Sequence, residues 1–272
     1  MRTRLLNFSR LATAALVCFA ALPLAAQVPD VPANEIPRTY DGHPDLTGIW
    51  QNMSTANWDL EDHRPSAGPF YQLGAVGAVP SGLGVVVGGA IPYKPEARVK
   101  REENRRLRWE NDPELNCYMP GIPRATYLPY PFEIVEGTKT ILMAYQYASV
   151  NRPIYMDHER EPQIDSWMGI SNGHWDGDTL VVTTSGFNDK TWLDRSGNYH
   201  SINMVVTERF QMLDRDHIRY TATIEDPDIF ERPWDISLVL YRNIEPDARI
   251  VEFKCVPFSE ERLYRDLRKV DE

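Results

Sequence analysis

The chain has 272 residues and a formal net charge of −10 at pH 7, enough length for one large or two small domains. An acidic surface repels phosphate backbones and argues against a nucleic-acid partner. Past the first 26 residues no segment is long and apolar enough to span a bilayer.

Residues 1–26 read as a secretory signal peptide rather than as part of the fold. Arg2, Arg4 and Arg10 form a basic start, LATAALVCFAALPLAA is an apolar run shorter than a membrane span, and LAA before Gln27 suits cleavage. Cys18 follows Val17, where a lipoprotein signal wants a small residue, so no lipid anchor is read. Cleavage removes those three arginines and no acid, taking the charge from −10 to −13. The expectation is a periplasmic or secreted protein with no membrane contact after cleavage.

Residues 27–46, rich in proline and polar side chains, read as an extended N-terminal arm. Residues 47–272 read as a single β domain with a Gly-rich loop and helix inserted over 64–131. LTGIWQ looks like a first strand. GAVGAVPSGLGVVVGGAIPY lacks the glycine spacing of a phosphate loop, and reads as a mobile lid or a loop packed on a barrel mouth. Residues 94–111 form the one convincing helix, strongly charged, with Val99, Leu107 and Trp109 as its large apolar side chains. The proline-rich stretch that follows reads as an ordered crossing loop.

From Phe132 onward the sequence alternates in β fashion. FEIVEGTKTILMAYQY gives two strands, and SWMGISNGHW and DTLVVTTSGF flank Asp176-Gly177, a type I′ hairpin signal. HSINMVVTERFQML and HIRYTATIEDP pair around DRD, which sets Phe210 near Tyr220 and Glu208 near Ala222. WDISLVLYRN and RIVEFKCV read as the last strands, and SEERLYRDLRK as a closing helix. With about eight or nine antiparallel strands, the expected fold is mainly β, a lipocalin-like up-and-down barrel, since closure removes the open edges of a meander. The alternative is a β-sandwich. The mature cysteines, Cys117 and Cys255, most simply form a disulfide closing about 140 residues, stabilising on the order of 4 kcal/mol by chain-entropy reasoning; two buried free thiols are the other option.

Several segments, among them PDLTGIWQ, NCYMPGIPRATYLPYPFEI, SVNRPIYMD, DSWMGISNGHWDGDTLVVTTSGFNDKTWLDRSGNYHS and TIEDPDIFERPW, resemble a family of uncharacterised exported bacterial proteins of acidobacterial and sphingomonad type. The resemblance spans most of the mature chain. It implies export and a β-rich single domain, and it transfers no catalytic residue.

The stretch TWLDRSGNYHSINMVVTERF places a histidine and a carboxylate, His200 and Glu208, on the apolar face of an expected strand. Asp194, in the preceding turn, is positioned to orient the imidazole as a general base, or else caps its own turn. Glu208, expected inside the barrel, must be paired, hydrogen-bonded or protonated. At roughly 3.3 Å per residue, His200 and Glu208 stand about 26 Å apart along an ideal strand, too far to share a small substrate. Arg152, Tyr155, Arg124 and Tyr220 are candidate substrate contacts, arginine because it grips carboxylates bidentately; a structural ion pair is the more ordinary use. The six histidines show no metal-ligand spacing and no cofactor motif is found, so no metal and no cofactor are expected. The resulting expectation is a small-molecule-binding barrel doing cofactor-independent acid–base work (lyase, hydratase or isomerase) on a partly apolar substrate. The alternative is a non-catalytic periplasmic ligand carrier.

Overall fold

The computed structural model describes residues 36–267. The expected signal peptide, residues 27–35 of the N-terminal arm and the last residues of the closing helix lie outside the described residues. Among those described, nine strands close into a barrel in chain order: β1 (Gly48–Asn52), β2 (Phe132–Glu136), β3 (Thr140–Tyr145), β4 (Val150–Tyr155), β5 (Ile170–Asp176), β6 (Thr179–Ser185), β7 (Val205–Asp214), β8 (His217–Glu225) and β9 (Trp234–Arg242). The expected mainly-β barrel is therefore observed, and the sandwich is not.

One pairing departs from the expected all-antiparallel meander. β4 and β5 run parallel and share only Ile154↔Ser171 and Tyr155↔Asn172. Every other neighbouring pair, including the β1–β9 closure, is antiparallel. Strand directions cannot alternate all the way round an odd ring, so one parallel seam is unavoidable. Residues 156–169 supply the long crossover that a parallel pair requires.

Alternation fixes what faces inward. On β7 the buried positions are Val206, Glu208, Phe210 and Met212; on β8 they are Ile218, Tyr220, Ala222 and Ile224. The expected register is observed, with Phe210↔Tyr220 and Glu208↔Ala222. At the closure, Gly48 has φ +144°, and a Cβ there would meet the Arg242 guanidinium at 2.2 Å. That vacancy lets Arg242 lie 4.2 Å from the Trp50 ring, while the indole N–H donates to the Leu46 carbonyl at 2.8 Å.

Several expected boundaries shift. β7 begins at Val205, not His200, because Ser201 and Asn203 are committed to the carboxylates of Asp226 and Asp228. The β5–β6 loop is Gly177-Asp178, one residue later than expected, and only Gly177 of the two has positive φ, so the turn is not type I′. Residues 249–256, expected as a strand, are irregular; β1 and β9 already pair with each other. The charged helix splits at Leu107 into α1 (Pro95–Arg106) and α2 (Arg108–Asn111), and the proline-rich crossing loop contains the buried turn α3 (Arg124–Tyr127). Within the Gly-rich loop, Val87 N–H donates to the Asp235 carbonyl at 2.8 Å and Ser237 N–H to that of Val85 at 2.9 Å. Residues 85–87 thus line the part of the β9 edge that short β1 does not reach.

The barrel has two unlike ends. Tight turns join β2–β3, β5–β6 and β7–β8 at one; the opposite end receives the long segments 53–131, 186–204 and 226–233. β9 finishes at the tight-turn end, yet by Cys255 the chain is back at the loop-bearing end, bonded to Cys117 across 138 residues of sequence. A last short helix, α4 (Ser259–Tyr264), follows. No described helix is long and apolar enough to cross a membrane. Reducing the disulfide releases a loop whose closure is worth about 4 kcal/mol. Urea unfolding with and without reductant is expected to show a loss of that order.

Candidate functional site

Inside the barrel, Glu208 and Arg152 meet. The Arg152 guanidinium forms an ion pair with Glu208 through Nη2 and Oε2, and its Nη1 donates to Oε1 at 3.2 Å. The same guanidinium donates to Ser171 Oγ and Thr184 Oγ1, each at 2.9 Å, and to Tyr145 Oη at 3.4 Å. Tyr220 donates its hydroxyl to Glu208 Oε1 at 2.9 Å. All these side chains are buried. Burial pushes the Tyr220 hydroxyl well above its ordinary range, with the Glu208 charge adding to it. This cluster answers why an apolar face carries a carboxylate: each charge meets its opposite and a set of hydroxyls. It is mutually satisfied and leaves no group directed at a ligand.

The other expected residues lie elsewhere. Tyr155 sits on the outer wall beneath the Arg160 guanidinium, 3.5 Å from its ring. Arg124 belongs to the loop-bearing end, where it grips Asp112 bidentately at 2.9 Å and reaches Glu114 at 2.8 Å. Of the four expected substrate contacts, only Arg152 and Tyr220 come together, with Glu208.

Asp194 and His200 do not form the expected dyad. The Asp194 carboxylate is taken up by four N–H donors: Leu60 N at 2.9 Å, Ser196 N at 2.9 Å, Asn198 N at 3.2 Å and Asn198 Nδ2 at 2.6 Å. It is a loop organiser. Burial and the neighbouring Asp59 carboxylate push it up to about 7, against donors that favour the charged form. His200 instead donates Nδ1–H to the Ser201 carbonyl at 2.9 Å, which leaves Nε2 to accept from the Thr191 hydroxyl at 2.6 Å. Burial lowers its pKa and keeps it neutral. A hydroxyl–imidazole pair of this geometry suits proton transfer, yet His200 is 1 % and Thr191 3 % exposed.

At the loop-bearing end lies an aromatic-lined cleft of about 330 Å³ that sequence reasoning did not identify. Tyr130, Tyr147 and Phe253 pack ring against ring at 4.9–5.6 Å along it, and Trp109, Phe70 and Phe258 line it too. Tyr147 is held by a tight turn whose Ala148 and Ser149 both take positive φ, and it donates its hydroxyl to the Glu114 carbonyl at 3.1 Å. Glu114 and Arg195, joined by two bonds of 2.8 and 2.9 Å, also line the cleft. Burial alone would raise the Glu114 carboxyl; Arg195 and Arg124 outweigh it and hold it at about 2. The lining comes from six separate stretches of chain, brought together by the barrel end and the disulfide. Among the described residues no three His, Cys, Asp or Glu side chains are gathered so as to hold a metal ion.

No protein family, curated protein or solved structure matches the chain.

Two stability tests follow from these clusters. Arg152→Met or Glu208→Gln alone is expected to cost about 3–5 kcal/mol in urea unfolding, because the remaining partner stays buried and unpaired. Arg152→Met combined with Glu208→Gln is expected to cost less than the two losses added. The second test is pH. Glu114, lowered from 4.5 to about 2, contributes stability that is present above 4.5 and lost as pH falls toward 2. Asp194, raised from 3.8 to about 7, has the opposite sign, its contribution shrinking as pH rises through that window. Urea midpoints measured across pH are expected to fall on the acid side, and Glu114→Gln to flatten that fall.

Proposed function

We propose that this protein is an exported binding barrel that holds a small, planar, partly apolar molecule in the aromatic cleft at its loop-bearing end. The observation that carries the reading is the cleft itself: about 330 Å³, walled by tyrosine, tryptophan and phenylalanine rings, with the Glu114–Arg195 pair beside them. Ligand sites in proteins are commonly of this size and make-up, mostly apolar with a few fixed polar groups. The barrel interior does not compete for the role, since its polar groups are consumed by one another. Export is supported by the basic-then-apolar start of the chain and by a disulfide suited to an oxidising compartment. The resemblance to exported bacterial proteins points the same way.

A second reading, acid–base catalysis, is favoured by one observation: the Thr191–His200 bond with its tautomer set by the Ser201 carbonyl. Elimination, hydration or isomerisation would then use His200 as the base. It needs a route to a residue that is 1 % exposed, so binding is the preferred conclusion.

The test uses the neutral dye N-phenylnaphthylamine, whose emission rises in apolar sites. Saturable one-to-one binding is expected, weakened about tenfold or more by Phe253→Ala, since a stacked ring contributes on the order of 1 kcal/mol beyond its buried area. Absence of saturable binding, or indifference to Phe253→Ala, removes the proposal. His200→Ala is expected to leave dye binding unchanged. Loss of product formation in that variant, with dye binding retained, would favour the catalytic reading instead.

A further inference from the structure

The aromatic cleft does not stop at the Glu114–Arg195 pair. Trp109 and Arg195 line both it and a second recess of about 40 Å³, so the two spaces adjoin at those side chains. A volume of that order takes a few water-sized groups, enough for one oxyanion and too little for a second ring.

The recess differs sharply from the cleft in charge. Arg64, Arg105, Arg108 and Arg195 all line it, against the single carboxylate of Asp59. This clustering occurs in a chain whose acidic residues outnumber its basic ones, 39 to 29. Arg195 is neutralised by Glu114. Arg64, Arg105 and Arg108 form no ion pair among the described residues; Arg108 donates to the Arg105 carbonyl at 2.9 Å and lies 4.7 Å from the Trp109 ring. Burial, then Arg105 close by, lowers the Arg108 pKa, and the Asp59 carboxylate opposes them without cancelling them. His63 lines the same recess, its Nδ1 donating to the Glu61 carbonyl at 2.9 Å; its buried Nε2, without a hydrogen-bond partner, is then an acceptor and is not counted among the anion's contacts.

A structural explanation covers part of this. Arg105 lies in the last turn of α1, where the helix dipole favours a cation. That does not account for Arg64, which arrives from a different loop, nor for the half-buried Arg108, which has no ion pair at salt-bridge distance.

We infer that the ligand of this site is an aryl anion: a planar ring system in the aromatic cleft with a carboxylate, sulfonate or similar oxyanion in the recess, facing Arg105 and Arg108. The inference rests on the binding reading above and adds the charge of the ligand to it. The shared Trp109 wall supplies continuity between the two halves of such a molecule, and arginine is the side chain best matched to a planar oxyanion.

A matched pair of probes separates the two claims. N-phenylnaphthylamine and its sulfonated counterpart anilinonaphthalenesulfonate differ by the anionic group alone, and both are titrated calorimetrically into the disulfide-bonded protein. The sulfonate is expected to bind about tenfold tighter or more at low salt, one charge-assisted contact being enough for that factor. The advantage is expected to shrink as salt rises. Arg105→Gln with Arg108→Gln is expected to bring the sulfonate down to the affinity of the neutral dye while leaving the neutral dye unchanged. Should the double variant fail to fold, Arg105→Gln alone, at an exposed position, is expected to give part of the same loss. Equal binding of the two dyes, or a sulfonate affinity indifferent to these arginines, overturns the anion inference and leaves the aromatic cleft standing. If neither dye binds, the binding reading itself has failed.

Discussion

Inside the barrel a single guanidinium reaches every strand from β3 to β7. Arg152 leaves β4 and is bonded to Tyr145 on β3, Ser171 on β5, Thr184 on β6 and Glu208 on β7. A buried charge tolerates almost no slack, because any partner that slips leaves an unsatisfied group in a low-dielectric interior. Shifting any of these strands by one residue would turn its contributing side chain to the outer face. The cluster therefore fixes four registers at once, and it does so beside the β4–β5 seam, where the backbone contributes only two residue pairs. Side chains specify the closure where main-chain pairing is sparse.

The same logic recurs at the loop-bearing end with other residues. Asp194 collects the N–H groups of Leu60, Ser196 and Asn198. Asn198 in turn accepts from the Tyr93 hydroxyl at 3.1 Å and from Arg101 Nε at 3.3 Å. Arg124 gathers Asp112, Glu114 and Asn57. Long loops without regular structure bury peptide groups that need partners, and these acids and amides provide them. The order so produced is what lets irregular segments hold a cleft of defined shape.

Much of the barrel was legible because strand alternation is a local property. The β7–β8 register was read from a three-residue DRD loop; the turn is instead Arg215-Asp216 with a bulge between Met212 and Asp214, which leaves Phe210↔Tyr220 in place. Glu208 was placed inside by parity alone. Legibility failed where a side chain had a choice of partners. Asp194 and His200 are six residues apart, and the sequence cannot show that backbone N–H groups capture the carboxylate before the imidazole does. Residues 249–256 alternate as a strand would, yet the edge such a strand would need is occupied by the β1–β9 pairing. The cleft was invisible for a different reason: Trp109, Glu114, Tyr147, Arg195 and Phe253 have no motif relation, and only the closed barrel and the Cys117–Cys255 bond make them neighbours.

The β4–β5 seam has the character of a colouring problem. If each strand is painted by the direction in which it runs, a ring of nine cannot be completed in two alternating colours, so two like-coloured neighbours must meet somewhere. Adding or deleting a whole hairpin changes the ring by two and preserves that mismatch. Only the gain or loss of a lone strand would erase it, and with it any need for the crossover at 156–169.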